Sequence, residues 1–196
     1  YLVQTRTRGD MKQKGNILII PDPHASPDYD NKRFTALGNL IVDKQPHIVL
    51  CLGDMADMPS LSSYDKGTKG FEGRRYKKDV ASTIDAQVKL FEPIKKLNAN
   101  KRKRKEKQYK PKLHMCLGNH EDRITRATNF SPELEGTISI NDLQYEKFGW
   151  KTTPFKSCIT LGGIVFSHYF TSGVAGRPIS SAHTGYHLIT KLHCSA

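Results

Sequence analysis

The sequence predicts an α/β fold in which parallel strands are joined through helices, on three observations. Apolar runs at residues 17–20, 48–52, 113–117 and 159–166 have the length of strands. The first three are continuous rather than alternating, as expected of strands covered on both faces. Helical periodicity fills the two gaps between them, and a strand–helix–strand–helix–strand order calls for parallel pairing through crossovers.

The first run, Ile17-Leu18-Ile19-Ile20, leads through Pro21-Asp22-Pro23-His24 to residues 33–43. There Phe34, Leu37, Leu40 and Ile41 fall at helical spacing. The second run ends in Gly53-Asp54-Met55-Ala56-Asp57, and Gly and Ser then punctuate residues 59–73, an irregular excursion above the sheet. Across residues 79–97 a second helix aligns Val80, Ile84, Val88, Phe91 and Ile94, with Asp79 as its N-cap. The third run ends in Gly118-Asn119-His120-Glu121. Phe148 and Trp150 form an apolar cluster before the fourth run and read as core. Gly162-Gly163 places a turn or bulge inside that run, which ends in Ser167-His168. His47 and His114 read as packing or surface histidines.

Composition sets the limits. The 196 residues suit a single domain spanning 1–196. Hydrophobic residues make up 37% and charged residues 26%, which excludes a disordered chain. No window approaches 18 apolar residues, and no basic stretch followed by an apolar segment opens the chain. A spanning helix, a secretory signal and a membrane partner are therefore not expected. Cys51, Cys116, Cys158 and Cys194 form no CxxC pair, and the first three sit in apolar runs. They read as buried free thiols of a reducing compartment, hence a cytoplasmic protein.

Lys and Arg number 31 against 19 Asp and Glu, a net charge of +12. Much of the excess is local: Lys101, Arg102, Lys103, Arg104, Lys105, Lys107, Lys110 and Lys112 face the single acid Glu106. The stretch 98–112 reads as a solvated basic surface loop, and also as a phosphate-seeking patch for nucleic acid.

The chemistry lies just beyond the carboxyl ends of the strands, where sites of open α/β sheets gather. Asp22, His24, Asp54, Asn119 and His168 offer carboxylates, imidazoles and an amide oxygen. That donor set suits Mn²⁺, with Fe or Zn²⁺ as alternatives, and excludes a thiolate site. A carboxylate can bridge two ions at about 3.5–4 Å, the arrangement of two-metal phosphoryl hydrolysis.

In this order, Asp-x-His, Gly-Asp-x-x-Asp, Gly-Asn-His-Glu and a lone His, the chain resembles the calcineurin-like metallophosphoesterase superfamily over nearly its whole length. Residues 64–79, Glu121-Asp122-Arg123-Ile124 and residues 172–187 are similar, more narrowly, to metallophosphoesterases of tailed bacteriophages. The resemblance implies a β-sandwich flanked by helices, in four layers α/β/β/α, with two divalent ions at one edge. It implies Asp22 and His24 on one ion, Asn119 and His168 on the other, and Asp54 bridging both. It also implies that His120 steadies the transition state or protonates the leaving oxygen, that Glu121 orients its neighbours, and that Asp57 supports the metal shell. The plain alternative for Glu121 and Asp57 is a helix-start carboxylate. Arg74, Arg75 and Arg123 offer guanidinium forks for substrate phosphate, against the alternative of ordinary surface arginines.

The closing Gly-His-x-His block of the superfamily is absent. His183, His187 and His193 are the remaining candidates, and the first two, at i and i+4, do not reproduce its spacing. The expectation is a chain truncated before that block. The function expected is metal-dependent phosphoester hydrolysis, as a phosphodiesterase or nuclease. The alternatives are a phosphomonoesterase, protein phosphatases included, and a non-catalytic nucleic-acid-binding scaffold.

Overall fold

The computed structural model describes residues 2–5, 15–172, 177–179, 181 and 185. Its main sheet has five strands in the order β1 (Leu2–Thr5), β2 (Gly15–Ile20), β3 (Ile48–Cys51), β4 (Lys112–Cys116) and β5 (Lys151–Thr153). β2 to β5 are parallel, and β1 adds an antiparallel edge. Register aligns Ile20 with Cys51 and Cys51 with Met115, so the strands end side by side and their following loops meet.

Alternation explains the unbroken apolar runs. Leu18, Ile20, Val49, Cys51 and Met115 face a core filled by α1 (Lys32–Lys44) and α2 (Tyr76–Lys103) through Phe34, Ile41, Leu90, Phe91 and Ile94. Ile17, Leu50 and Cys116 face the other way, onto Phe166, Ile159 and Leu161. Those last residues belong to the antiparallel hairpin of β6 (Ile159–Leu161) and β7 (Ile164–Phe166), which turns at Gly162-Gly163. Three layers, α/β/β, are thus present among the described residues. The chain is an α/β protein, and no helix among the described residues is long and apolar enough to cross a membrane.

Several expectations need correction. Helix α2 begins at Tyr76, so Asp79 lies in its first turn; its carboxylate accepts the Ser60 N–H at 2.9 Å rather than capping the helix. Val88 is 45% exposed, and Thr83, Ala86 and Gln87 are buried in its place. The polar pair is tolerated because Thr83 Oγ1 donates to the Asp79 carbonyl at 2.9 Å and Gln87 Nε2 to the Leu143 carbonyl at 2.8 Å. α2 also runs on to Lys103, so the basic loop starts at Arg104. Lys101, Arg102 and Lys103 occupy the last helical turn, where cations offset the partial negative charge of the unpaired carbonyls. Cys158 is exposed, whereas Cys51 and Cys116 are buried and free. Burial pushes the Cys51 thiol well up, and that of Cys116 to about 11. β8 (Thr171–Ser172) and β9 (Arg177–Pro178) form a short second hairpin; Cys194 lies outside the described residues.

Leu90 is fully buried between α1 and the sheet. Leu90→Ala is expected to cost about 2–5 kcal/mol, read as a lower midpoint in urea denaturation with the slope unchanged.

Candidate metal centre

The loops after β2 and β3 continue the pairing of their strands. His24 N–H donates to Asp54 O at 2.9 Å, Ala25 N–H to Met55 O at 2.7 Å, and Asp57 N–H to Ala25 O at 3.0 Å. Within this zipped pair, Asp22, His24 and Asp54 hold positive φ angles of 35°, 48° and 49°. Such left-handed backbone at non-glycine residues costs on the order of 1 kcal/mol each and persists only where the surroundings enforce it. Arg33, on α1, supplies part of that enforcement: its guanidinium donates to the carbonyl of Pro23 at 3.1 Å and to that of His24.

Glu121 ties the β3 and β4 loops together from inside. The residue is fully buried and precedes α3 (Asp122–Phe130). Its Oε2 accepts the N–H of Asp54 at 3.0 Å and of Gly118 at 2.8 Å. Its Oε1 accepts the N–H of Ala56 at 3.0 Å and the Tyr145 hydroxyl at 2.9 Å. Burial pushes the Glu121 carboxyl up; the backbone N–H donors oppose that shift. Two glycines make the close approach possible. A Cβ at Gly118 would overlap Asp54 Oδ1, and one at Gly53 (φ +111°) would stand 2.7 Å from His168 Nδ1.

The side chains converge on Asp54, whose carboxylate is 6% exposed. Its Oδ2 lies 3.9 Å from His24 Nε2, 3.8 Å from His120 Nε2 and 3.6 Å from His168 Nε2, while Oδ1 accepts the His120 N–H at 2.9 Å. Asp22 Oδ1 lies 3.7 Å from His168 Nδ1. Two potential ligand sets share Asp54: His24, Asp54 and His120, and Asp22, Asp54 and His168. The outer ring nitrogens are oriented by acceptors. His168 Nδ1 sits 2.8 Å from the Leu52 carbonyl, so it carries the proton. Its Nε2 then faces Asn119 Oδ1 at 2.9 Å as well as Asp54. Three lone-pair-bearing atoms turned on one point is an arrangement that a divalent cation satisfies, and the donor set fits.

Asp57 Oδ1 receives the Nδ1 of His24 at 3.2 Å and of His120 at 3.0 Å. The two imidazoles hold the Asp57 carboxyl far below the usual range, His120 contributing most, and Asp57 raises His24 above its ordinary 6.5. Arg123 donates to the carbonyls of Asp57 at 2.9 Å and Met58 at 3.2 Å, and its NH2 stands 3.3 Å from His120 Nε2. A guanidinium only donates, so His120 Nε2 is the acceptor, which leaves that nitrogen engaged rather than open to an ion.

The structure therefore brings Asp22, His24, Asp54, Asp57, Asn119, His120, Glu121, Arg123 and His168 together, and sends two arginines elsewhere. Arg74 pairs with Asp65 at 2.6 Å and donates to the Pro59 carbonyl, while Arg75 donates to the Arg74 carbonyl. Arg33, Tyr145 and Arg126, which donates to the Asn119 carbonyl at 3.0 Å, support the centre without any motif in the sequence to announce them. For Arg33 the one available signal was a cation at the very start of the helix that follows the Asp-x-His loop. His183, His187 and His193 lie outside the described residues.

A parallel sheet with carboxylates, imidazoles and an amide collected past its strand ends defines a class: the chain belongs to the calcineurin-like phosphoesterase family, whose model matches residues 15–193. Among particular proteins it is similar to the Gene 54 protein of Mycobacterium phage L5. The two are 28% identical over 184 residues, which take in 91% of this chain and 66% of the phage protein. The chain thus spans just under two thirds of that relative's length.

Two outcomes follow. In Glu121→Gln the amide group, facing Ala56, leaves a buried N–H unpaired, at a cost of about 1–3 kcal/mol. Tyr145→Phe, which removes one bond, costs about 0.5–1.5 kcal/mol, and urea denaturation of both variants tests the ranking. In the metal-free protein, the raised His24 contributes stability present below pH 6.5 and lost as pH rises through its native value. The depressed Asp57 contributes stability present above pH 3.8 and lost in stronger acid. The pair supports the fold most between those values, and NMR titration should return His24 toward 6.5 in Asp57→Asn.

Proposed function

We propose that the chain is a metal-dependent phosphoester hydrolase acting on diesters, with nucleic acid as the substrate class. The observation that carries the hydrolase reading is the buried Asp54 carboxylate, one oxygen of which lies within 3.9 Å of three imidazole nitrogens. Asp22, His24, Asp54, Asn119 and His168 would hold two divalent ions, Mn²⁺ first among the candidates, with Asp54 common to both. When bound, the ions supply Lewis acidity and lower the pKa of water.

The remaining work falls to the chain's own groups. Asp57 holds the His24 and His120 rings by their Nδ1 protons. His120, held at Nδ1 by Asp57 and presenting the accepting Nε2 beside Arg123, is placed to take up a proton at Nε2 and pass it to the leaving oxygen once the guanidinium turns to a substrate phosphate oxygen. General acid help of that kind is commonly worth about 10²–10⁴ in rate. Glu121 keeps the two loops in register. The diester preference draws on the +12 charge, since a polyanion is drawn to such a chain over long range.

Hydrolysis of paired aryl phosphate monoester and diester substrates with Mn²⁺ tests this reading. Diester cleavage is expected, falling by about 10³ or more in Asp54→Asn, because metal contributions to such barriers reach several kcal/mol. Monoester preference would redirect the substrate to phosphoproteins or small phosphates. Metal uptake without cleavage of either substrate would favour a binding scaffold.

A further inference from the structure

The end of the sheet opposite the metal centre holds a groove of about 1100 Å³. It opens at the starts of the parallel strands, beside Gly15, Ile48 and Lys112, whereas the centre lies past their far ends. The six residues of β2, at about 3.3 Å each, put about 20 Å between the two. Its wall is the connection from α2 to β4, including Lys107, Lys110 and Lys112.

The helix divides the basic run into two parts with different explanations. Lys101, Arg102 and Lys103 complement the carboxyl end of α2, and the one acid, Glu106, stands 3.8 Å from Lys101 and 3.6 Å from Arg104. Lys107, Lys110 and Lys112 lie beyond both effects, in an extended segment and the first residue of β4, and pair with no carboxylate among the described residues. All three are exposed, and Lys112, with Lys151, adds to burial in holding the His114 imidazole below its ordinary value. Unpaired like charges collected along one groove are stabilised by an anion.

We infer that this groove docks the phosphate backbone of duplex nucleic acid, at a site separate from the metal centre. A duplex is the polyanion of highest linear charge, one per about 1.7 Å. The groove offers little for base stacking: Tyr109 is half-buried against the core and donates its hydroxyl to the Pro46 carbonyl at 2.7 Å, which leaves the small imidazole of His47 as the exposed ring. The choice of nucleic acid among polyanions rests on the phosphodiesterase reading; the existence of an anion site does not. Placed there, a bound duplex would hold the enzyme near its substrate without blocking the catalytic loops.

The test is fluorescence anisotropy of a labelled 20-base-pair duplex with the full chain in EDTA, so that hydrolysis plays no part. Wild type is expected to bind with strong salt dependence. The triple variant Lys107→Gln, Lys110→Gln, Lys112→Gln should lose 10-fold or more in affinity at low salt. Its slope of log K against log salt should be smaller by about 3, close to one per lost phosphate contact. Asp54→Asn should bind as wild type. Far-UV circular dichroism establishes folding of the triple variant, and the single variants Lys107→Gln and Lys110→Gln serve if it does not fold. Unchanged affinity in the lysine variants would overturn the proposal. So would equal competition by polyglutamate, or tighter binding of the single strand at the same salt. A chain that binds the duplex but cleaves no diester would refute the proposed activity and leave this site standing.

Discussion

A single buried carboxylate holds the functional end of this protein together. Glu121 accepts hydrogen bonds from three backbone N–H groups and one hydroxyl, and the donors come from the β3 loop, the β4 loop and Tyr145. Four donors offset the desolvation that burial imposes on the group. Each backbone donor also belongs to a loop carrying a candidate ligand. Asp54 is fixed through its own N–H, and Gly118 is the residue before Asn119. The distances among the imidazoles and carboxylates are therefore set from behind, by a residue that faces away from any substrate.

This arrangement explains what could be read in the sequence. Strands covered on both faces must be apolar throughout, so β2, β3 and β4 stood out as unbroken runs. Their parallel order then placed Asp22, His24, Asp54 and Asn119 at one edge, and His168 joins them from the end of β7 in the hairpin packed on the sheet. β5 was invisible because Lys151-Thr152-Thr153 has no apolar signal; it forms by pairing with β4. The α2 stripe misplaced Val88 because periodicity counts apolar residues, and it cannot see that Thr83 and Gln87 find partners inside. Glu121 presents a similar case. A helix-start carboxylate and an internal clamp carry the same letter, and only the three-dimensional approach of the β3 loop tells them apart.

The arginines make the same point about charge. Arg74, Arg75 and Arg123 were equivalent as letters, yet one is drawn against Asp65, one turns back on its neighbour's carbonyl, and Arg123 alone reaches His120. Arg33 is drawn in by the strained turn it steadies, since the Pro23 and His24 carbonyls need donors once the backbone bends away from the strand. Net charge describes what approaches the molecule from afar. Local hydrogen-bond demand decides where each cation rests.

The left-handed backbone at Asp22, His24 and Asp54 has a consequence for how freely these positions can vary. Among residues with a side chain, Asn, Asp and His enter that region most readily. The same three also offer oxygen or nitrogen donors to a hard or borderline cation. Two independent demands, one steric and one chemical, thus select nearly the same short alphabet at each position. A replacement that keeps the backbone, such as glycine, surrenders the donor. One that keeps a carboxylate on a longer stem, such as glutamate, must accept an unfavourable main chain. The loop sequences are consequently narrow for two reasons at once, and a drift in either requirement would be opposed by the other.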